Sequence, residues 1–256
     1  MARKLAIRRH DEILRRIGAD GAAGVGELAA VLGVSHETIR RDLRALAARG
    51  LLAVVHGGAV PHRSSEPAFA ERAEENAAGK AAIARAAAAL VPDGSVLLID
   101  SGTTTLAFAQ ALAGKRGLTV CTNSLAVALH LARQTAHVVH VLGGEVDRTE
   151  EATGGVDALA AIERFRVDLA FIGAGGLTPD GEVTDYSRTG AEQRRRMMAA
   201  AARTWLLMDH TKFGRLTPVR LETTGGGPVG LVVDAEPSPG LRKALARRRI
   251  DLVVAR

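Results

Sequence analysis

Val34-Ser35-His36-Glu37-Thr38-Ile39-Arg40-Arg41-Asp42-Leu43-Arg44-Ala45-Leu46 is the stretch on which the reading of this chain turns. Ser35 is a good N-cap, because its side-chain oxygen can accept an orphan backbone N–H of the first turn. Glu37 follows where the helix dipole favours negative charge. At about 100° per residue, Ile39, Leu43 and Leu46 share one narrow arc, the buried stripe of an amphipathic helix. Arg40, Arg41, Arg44 and Glu37 take the opposite arc. A short helix with an apolar back and three guanidinium groups on its front fits the major groove of DNA, where Arg pairs bidentately with guanine or neutralises phosphate. Taken alone, the stretch reads equally well as the solvated face of an ordinary surface helix.

Its surroundings decide between the two. A first helix is expected over Ala6–Ile17, with Ile13, Leu14 and Ile17 on one side, broken by Asp20-Gly21 and Gly24. A second, short one runs from Gly26 to Leu32 and stops at Gly33, a position suited to the left-handed conformation. Two helices, a tight Gly-containing turn and an Arg-faced second member make a helix-turn-helix. After Gly50, the runs Leu51–His56 and Ala59-Val60 flank Gly57-Gly58 and predict a hairpin, which beside a helix-turn-helix is a wing. Residues 1–63 hold 11 Lys/Arg against 6 Asp/Glu, and the other residues 23 against 22, so nearly all of the +6 net charge lies in the first quarter. That is the electrostatic footprint of a domain that meets a polyanion. Residues 1–60 are therefore expected to form a winged helix-turn-helix. Ser35, His36, Thr38, Arg40, Arg41 and Arg44, with His56, Gly57 and Gly58 of the wing, are expected to face a double-stranded DNA operator.

Pro61, Ser64, Ser65 and Pro67 then interrupt regular structure, and 61–78 reads as a linker. From 79 to 256, short apolar runs alternate with helical ones. Val96–Ile99, Leu118–Cys121, Val138–Leu142, Leu169–Ile172, Trp205–Met208, Val229–Val233 and Leu252–Val254 are the expected strands. This pattern predicts an α/β domain with a mainly parallel sheet. The basic N-terminal run meets Asp11 and Glu12 instead of an apolar core, and no apolar run approaches the ~18 residues of a membrane span. The single cysteine, Cys121, sits in an apolar run and suits a reducing compartment; the expected location is cytoplasmic. His137 and His140, three apart on a strand, face opposite ways, so no metal site or cofactor is expected.

In open α/β sheets ligands bind at the carboxyl ends of strands. Those ends here carry small polar loops. Ser101-Gly102-Thr103-Thr104-Thr105 runs from a strand into a helix and offers an anion backbone N–H groups, hydroxyls and a positive dipole end. It lacks the P-loop pattern. Gly173-Ala174-Gly175-Gly176 fails the dinucleotide fingerprint at Thr178.

The chain resembles the DeoR family of transcriptional regulators along nearly its full length. The N-terminal resemblance rests on Val34-Ser35, Thr38–Leu43 and His56-Gly57-Gly58-Ala59. The C-terminal one rests on Asp100–Thr105, Thr122-Asn123-Ser124, Leu142-Gly143-Gly144, Asp168, Phe171-Ile172-Gly173, Asp209 and Lys212-Phe213-Gly214. The resemblance implies a bacterial repressor of sugar catabolism, with a sensor domain like the ribose-phosphate isomerases that binds a phosphorylated sugar. On that footing the phosphate is expected on Ser101–Thr105 with Lys212 nearby. Asp100, Asn123, Gly143, Gly144, Gly173, Gly175, Gly176, Asp185 and Glu192 are expected around the rest of the effector. A homo-oligomer, dimer or higher, built through 79–256 would pair two winged helices. The chain departs from the family pattern at Arg194, where Lys is common, at His210, where a small hydroxyl residue is common, and in the loop Gly225–Pro228. The competing reading is a sugar-phosphate isomerase carrying a DNA-binding domain, with Glu192, Asp168 or Asp185 as its base.

Overall fold

The computed structural model describes residues 2–20, 23–48, 51–55, 57–61, 66–223 and 226–255. His56, the segment 62–65 and Gly225 lie outside them, as do Gly21 and Gly50.

The N-terminal unit packs α1 (Ala2–Asp20), α2 (Val25–Leu32) and α3 (His36–Ala48) against a three-stranded antiparallel sheet. Its strands are β1 (Ala23–Gly24), β3 (Gly58–Pro61) and β2 (Leu52–Val55), with β3 in the middle. Ile13 and Ile17 of α1, Leu28 of α2, and Ile39, Leu43 and Leu46 of α3 close one core with Leu52 and Ala59. The apolar arc of the recognition stretch is thus the buried one. Gly33 ends α2 in the left-handed region at φ 62° and donates its N–H to Ala29, as a C-terminal glycine cap requires. The Ser35 Oγ accepts the Thr38 N–H at 3.2 Å. Gly58 admits no side chain, because a Cβ there would overlap the Ala23 carbonyl across the sheet.

Two helices come next, α4 (Phe69–Glu74) and α5 (Ala77–Ala89), meeting at Asn76, which is left-handed at φ 52°. Phe69 and Arg72 are buried. Helix α4 therefore sits inside the span read as linker, and the Phe69 N–H donates to the Thr149 carbonyl of the C-terminal unit.

The C-terminal unit continues through β4 (Val96–Ile99), α6 (Thr103–Ala111), β5 (Thr119–Thr122), α7 (Leu125–Gln134) and β6 (Val138–Val141). A hairpin, β7 (Glu145–Asp147) and β8 (Ala152–Gly154), leads to α8 (Gly155–Ile162) and β9 (Val167–Ile172). Then follow β10 (Gly176–Leu177), β11 (Val183–Asp185), α9 (Arg188–Ala200), β12 (Ala201–Leu207), β13 (Val219–Arg220), β14 (Val229–Val233), α10 (Pro239–Arg247) and β15 (Asp251–Val254). Seven strands form one wholly parallel sheet in the order β15-β14-β12-β9-β4-β5-β6. Along β4, Leu97 and Ile99 join a core with Ile83, Phe108 and Val127, whereas Leu98 points to the other face with Ile162, Met197 and Leu245. Helices α5–α7 thus cover one face and α8–α10 the other. Because β5 and β6 lie on one side of β4 while β9, β12, β14 and β15 lie on the other, strand order reverses beside β4. That reversal opens a crevice at the carboxyl ends of β4 and β9.

All seven expected strands are present in this sheet. The hairpin β7–β8, helix α8 and the small antiparallel sheet β10-β11-β13 were not anticipated. No helix among the described residues is long and apolar enough to cross a membrane.

Candidate functional site

Helix α3 exposes Arg40, Arg41 and Arg44, with Ser35, His36 and Glu37 beside them; Thr38 is half-buried. Glu37 makes only long contacts to Arg40 (3.8 Å) and Arg44 (4.0 Å), so both guanidinium groups stay free to reach another anion. Arg40 and Arg44 line a groove of about 350 Å³ together with Val54, Val55, Gly57 and Gly58 of the wing. Asp42, in the same Arg-rich run, turns inward. It is 6% exposed and accepts from Arg9 Nε at 2.5 Å, and it pairs with His10 at 3.0 Å. Asp42 thus ties α3 to α1, a role the sequence pattern did not single out.

The second site lies in the crevice beside β4. Gly102, at φ 142°, makes the turn from β4 into α6, a conformation that disfavours any side chain. The first turn of α6, Thr103–Thr105, then opens toward a small chamber. Ser101, Gly173 and Ala174 form part of its wall, and its cationic groups are Arg72, Lys80, Arg194 and Lys212. Lys212 belongs to a short 3₁₀ turn (His210–Lys212) capped by Asp209. Burial, joined by the neighbouring Arg215 charge, brings the Lys212 ammonium down to about 8. The Lys80 ammonium donates to the Arg72 and Glu75 carbonyls.

A second chamber of about 100 Å³ adjoins the first, the two sharing Glu66, Ser101 and Arg194. Asp100, Asn123, Asp147, Glu150, Asp185, Ser187, Thr189 and Gln193 contribute polar side chains to it. The Asn123 Oδ1 is buried without a hydrogen-bond partner among the described residues, although an acceptor left so costs free energy. Between the chambers Arg194 donates from Nε to Asp100 at 2.7 Å and from Nη1 to Asp185. Burial works against the Arg194 charge, but the two carboxylates hold its pKa well above the usual value. Asp100 also accepts the Gly173 N–H at 3.2 Å, joining the ends of β4 and β9.

Of the expected effector residues, Asp100–Thr105, Asn123, Gly173, Asp185 and Lys212 come together in this cleft. The others stand elsewhere. Glu192 points away along α9, paired with Arg195 and Arg196, whose hydrogen bonds hold its carboxyl down to about 2. It is Gln193, one residue on, that faces the cleft. Asp168 accepts the Val96 N–H at the opposite end of the sheet. Gly144 and Gly176 make close backbone approaches to Gly154 and Arg215, and Gly175 abuts the Tyr186 ring. Gly143 lines neither chamber. Arg72, Lys80, Glu66 and Glu150 were missed; Arg72 lies on the mixed-charge α4 and Lys80 on the Ala-rich α5, whose sequences give no sign that they turn inward. Among the described residues no cluster of His, Cys, Asp and Glu is arranged to hold a metal ion.

Residues 9–65 match the family model described as a DeoR-like helix-turn-helix domain, and residues 75–226 match the DeoR C terminal sensor domain. The glycerol-3-phosphate regulon repressor of Haemophilus influenzae is 35% identical over 88% of this chain and 91% of its own length. The HTH-type transcriptional repressor CsqR of Escherichia coli is 33% identical over 96% of this chain and 94% of its own. Among solved structures, ribose 5 phosphate isomerase A of Neisseria gonorrhoeae superposes with a TM-score of 0.39 at 19% identity, over 52% of each chain.

Proposed function

The chain belongs to the DeoR family of transcriptional regulators, and from that premise we propose that it represses a sugar- or polyol-phosphate utilisation operon and is released by the phosphorylated compound. Operator contact falls to Arg40, Arg41 and Arg44 of α3, with Gly57 and Gly58 of the wing on the DNA backbone. His56 of the wing, outside the described residues, belongs with them by its place in the sequence. The effector phosphate sits over the first turn of α6, on Ser101–Thr105, with the Lys212 ammonium beside it. Its hydroxyls extend into the second chamber toward Asn123, Gln193 and Asp185.

The observation that carries the reading is the meeting of a half-buried Lys212 with the open first turn of α6 at the strand-order reversal. A helix N-terminus offers N–H groups and a positive dipole end to an anion, and a lysine serves phosphate as a point charge. The unpartnered Asn123 Oδ1 supports a hydroxyl-bearing ligand. The chain is a regulator rather than an enzyme, in keeping with relatives named as repressors. Pairing with Arg195 and Arg196 leaves Glu192 no part in proton transfer at the cleft.

Calorimetry against sugar and polyol phosphates and their unphosphorylated parents tests this, with Lys212→Met and Thr103→Val as controls. Phosphate esters should bind far more tightly than the parents, and Lys212→Met should abolish the difference. Equal binding of both members of a pair refutes the phosphate cradle. DNA fragments retained by the purified protein, sequenced, identify the operator.

A further inference from the structure

We propose that Glu66, the first described residue after the winged helix, is a built-in competitor for the effector phosphate: its carboxylate occupies the anion site through Arg72, and the effector displaces it. The proposal rests on the reading of the cleft as a phosphate site and adds the regulation of that site.

Glu66 lines both chambers. Its Oε1 lies 2.7 Å from Arg72 Nη1, while Nη2 of the same guanidinium is held at 2.8 Å by Glu150. Its charge also reaches Lys212 and Arg194 across the chamber. The positive groups of the cleft, Arg72, Lys80, Arg194 and Lys212, are thus already matched by Glu66, Glu75, Glu150, Asp100 and Asp185. A phosphate monoester adds close to two more negative charges near neutral pH. Room for it is made when a carboxylate leaves, or when Glu150, whose carboxyl is pushed up to about 7 by burial and the neighbouring Glu66 charge, takes up a proton.

The carboxylates are not equally able to leave. Asp100 and Asp185 are both bound by Arg194 and almost wholly buried. Glu150 meets Arg72 with both of its oxygens and is fixed at its backbone by the Asp147 carboxylate. Glu75 caps α4. The Glu66 side chain is tied only through Arg72 Nη1 among the hydrogen bonds and ion pairs found for it, and four residues separate it from Pro61, the end of wing strand β3. A phosphate taking Nη1 of Arg72 therefore frees Glu66, the held residue nearest the DNA-binding unit, while Pro67 stays on Nε of the same arginine at 2.9 Å. Effector binding and release of Glu66 become one exchange at a single guanidinium.

The test titrates inorganic phosphate into the full chain by calorimetry, for wild type, Glu66→Gln and Lys212→Met. A parallel set carries Ala68→Cys, an exposed position two residues from Glu66, labelled with an environment-sensitive fluorophore; Cys121 is fully buried and does not compete for the label. Glu66→Gln should bind phosphate roughly tenfold more tightly, since a like charge at contact distance is removed. The dye in phosphate-free Glu66→Gln should emit as it does in phosphate-bound wild type. Binding that depends on Lys212 but is unchanged by Glu66→Gln, or a dye indifferent to both phosphate and the substitution, overturns the competitor role and leaves the cleft reading intact. Phosphate binding that is absent, or that survives Lys212→Met, overturns the cleft reading and the competitor with it.

Discussion

Replacing Arg194 by Met asks how much of the sensor domain hangs on one side chain. Asp100 and Asp185 are 1% and 2% exposed, and Arg194, itself 8% exposed, is the cation that meets both. Removing one partner of a buried ionic group leaves uncompensated charge and costs about 3–5 kcal/mol. Against a total stability of about 5–15 kcal/mol for a typical domain, that is a large share. The pH dependence follows from the same burial. Burial already holds the Asp100 carboxyl above its ordinary value against the pull of Arg194, and losing Arg194 raises it further, so the cost is fully expressed above that folded-state value. It is relieved as falling pH protonates Asp100. Trp205, the single tryptophan, lies in β12 and is 6% exposed, so its fluorescence in a denaturant titration reports on the sensor domain. Arg194→Met should lower stability by about 3–5 kcal/mol at pH 7.5, and the gap from wild type should narrow at pH 5. Arg194→Lys keeps the charge but not the two-armed reach, and should cost about 1–3 kcal/mol. A loss below about 1 kcal/mol for the Met variant, or a gap unchanged between the two pH values, refutes the reasoning.

Arg41→Ala should weaken operator binding by about 1–3 kcal/mol if the contact is bidentate to a base, with Tm nearly unchanged; operator affinity that survives alanine at Arg40, Arg41 and Arg44 together sinks the assignment of α3. Phosphate-ester affinity should fall as pH rises through about 8, where Lys212 loses its proton, and should fall again below about 6 as the phosphate gains one; a flat calorimetric profile across this range excludes Lys212 from the contact. Light scattering of the full chain at micromolar concentration should return a dimer or larger. Leu125 and Leu129 of α7 and Val138 and Val141 of edge strand β6 are exposed apolar groups that a second copy would cover, and a strict monomer refutes this.

The parallel sheet was legible because each central strand is a run of apolar residues ending in small polar ones. Leu97-Leu98-Ile99 before Asp100-Ser101-Gly102 declares both a strand buried on two faces and the loop at its ligand end. The recognition helix was legible for a related reason: Ile39, Leu43 and Leu46 fix which face is buried, and so which arginines are exposed. The failures are also physical. Glu192 and Gln193 are neighbours, and periodicity cannot say which of two adjacent polar residues faces a cleft when Arg195 and Arg196 stand one turn away to capture the acid. Glycines 144, 175 and 176 signalled a special backbone, but the need they meet is close packing against Gly154, Tyr186 and Arg215. Gly58 shows the same ambiguity inside the wing, where close passage of Ala23 demands it as much as any DNA phosphate would.

What the sequence concealed most fully is that residues 66–78, inside the span read as linker, pack on the sensor. Its mixed charges, Glu66, Glu71, Arg72, Glu74 and Glu75, look like those of a solvated linker, yet Arg72 is 6% exposed and Lys80 5%. The bend at Asn76 explains how they get inside. Asn76 Nδ2 donates to Asp234 Oδ2 at 2.8 Å, and the other oxygen of Asp234 accepts the His210 N–H at 2.6 Å. Asp234 follows β14 and His210 follows β12, so the bend is fixed to the two strand ends beside Lys212. Gly79 allows α5 to lie against this knot, since a Cβ there would collide with both Asp234 and Asn76. The turn that presents Lys212 and the bend that presents Arg72 therefore share one hydrogen-bonded carboxylate. A ligand drawing on both cations acts on a single connected piece of structure, which the His210 ring reinforces by pairing with Asp234 Oδ2 at 2.7 Å.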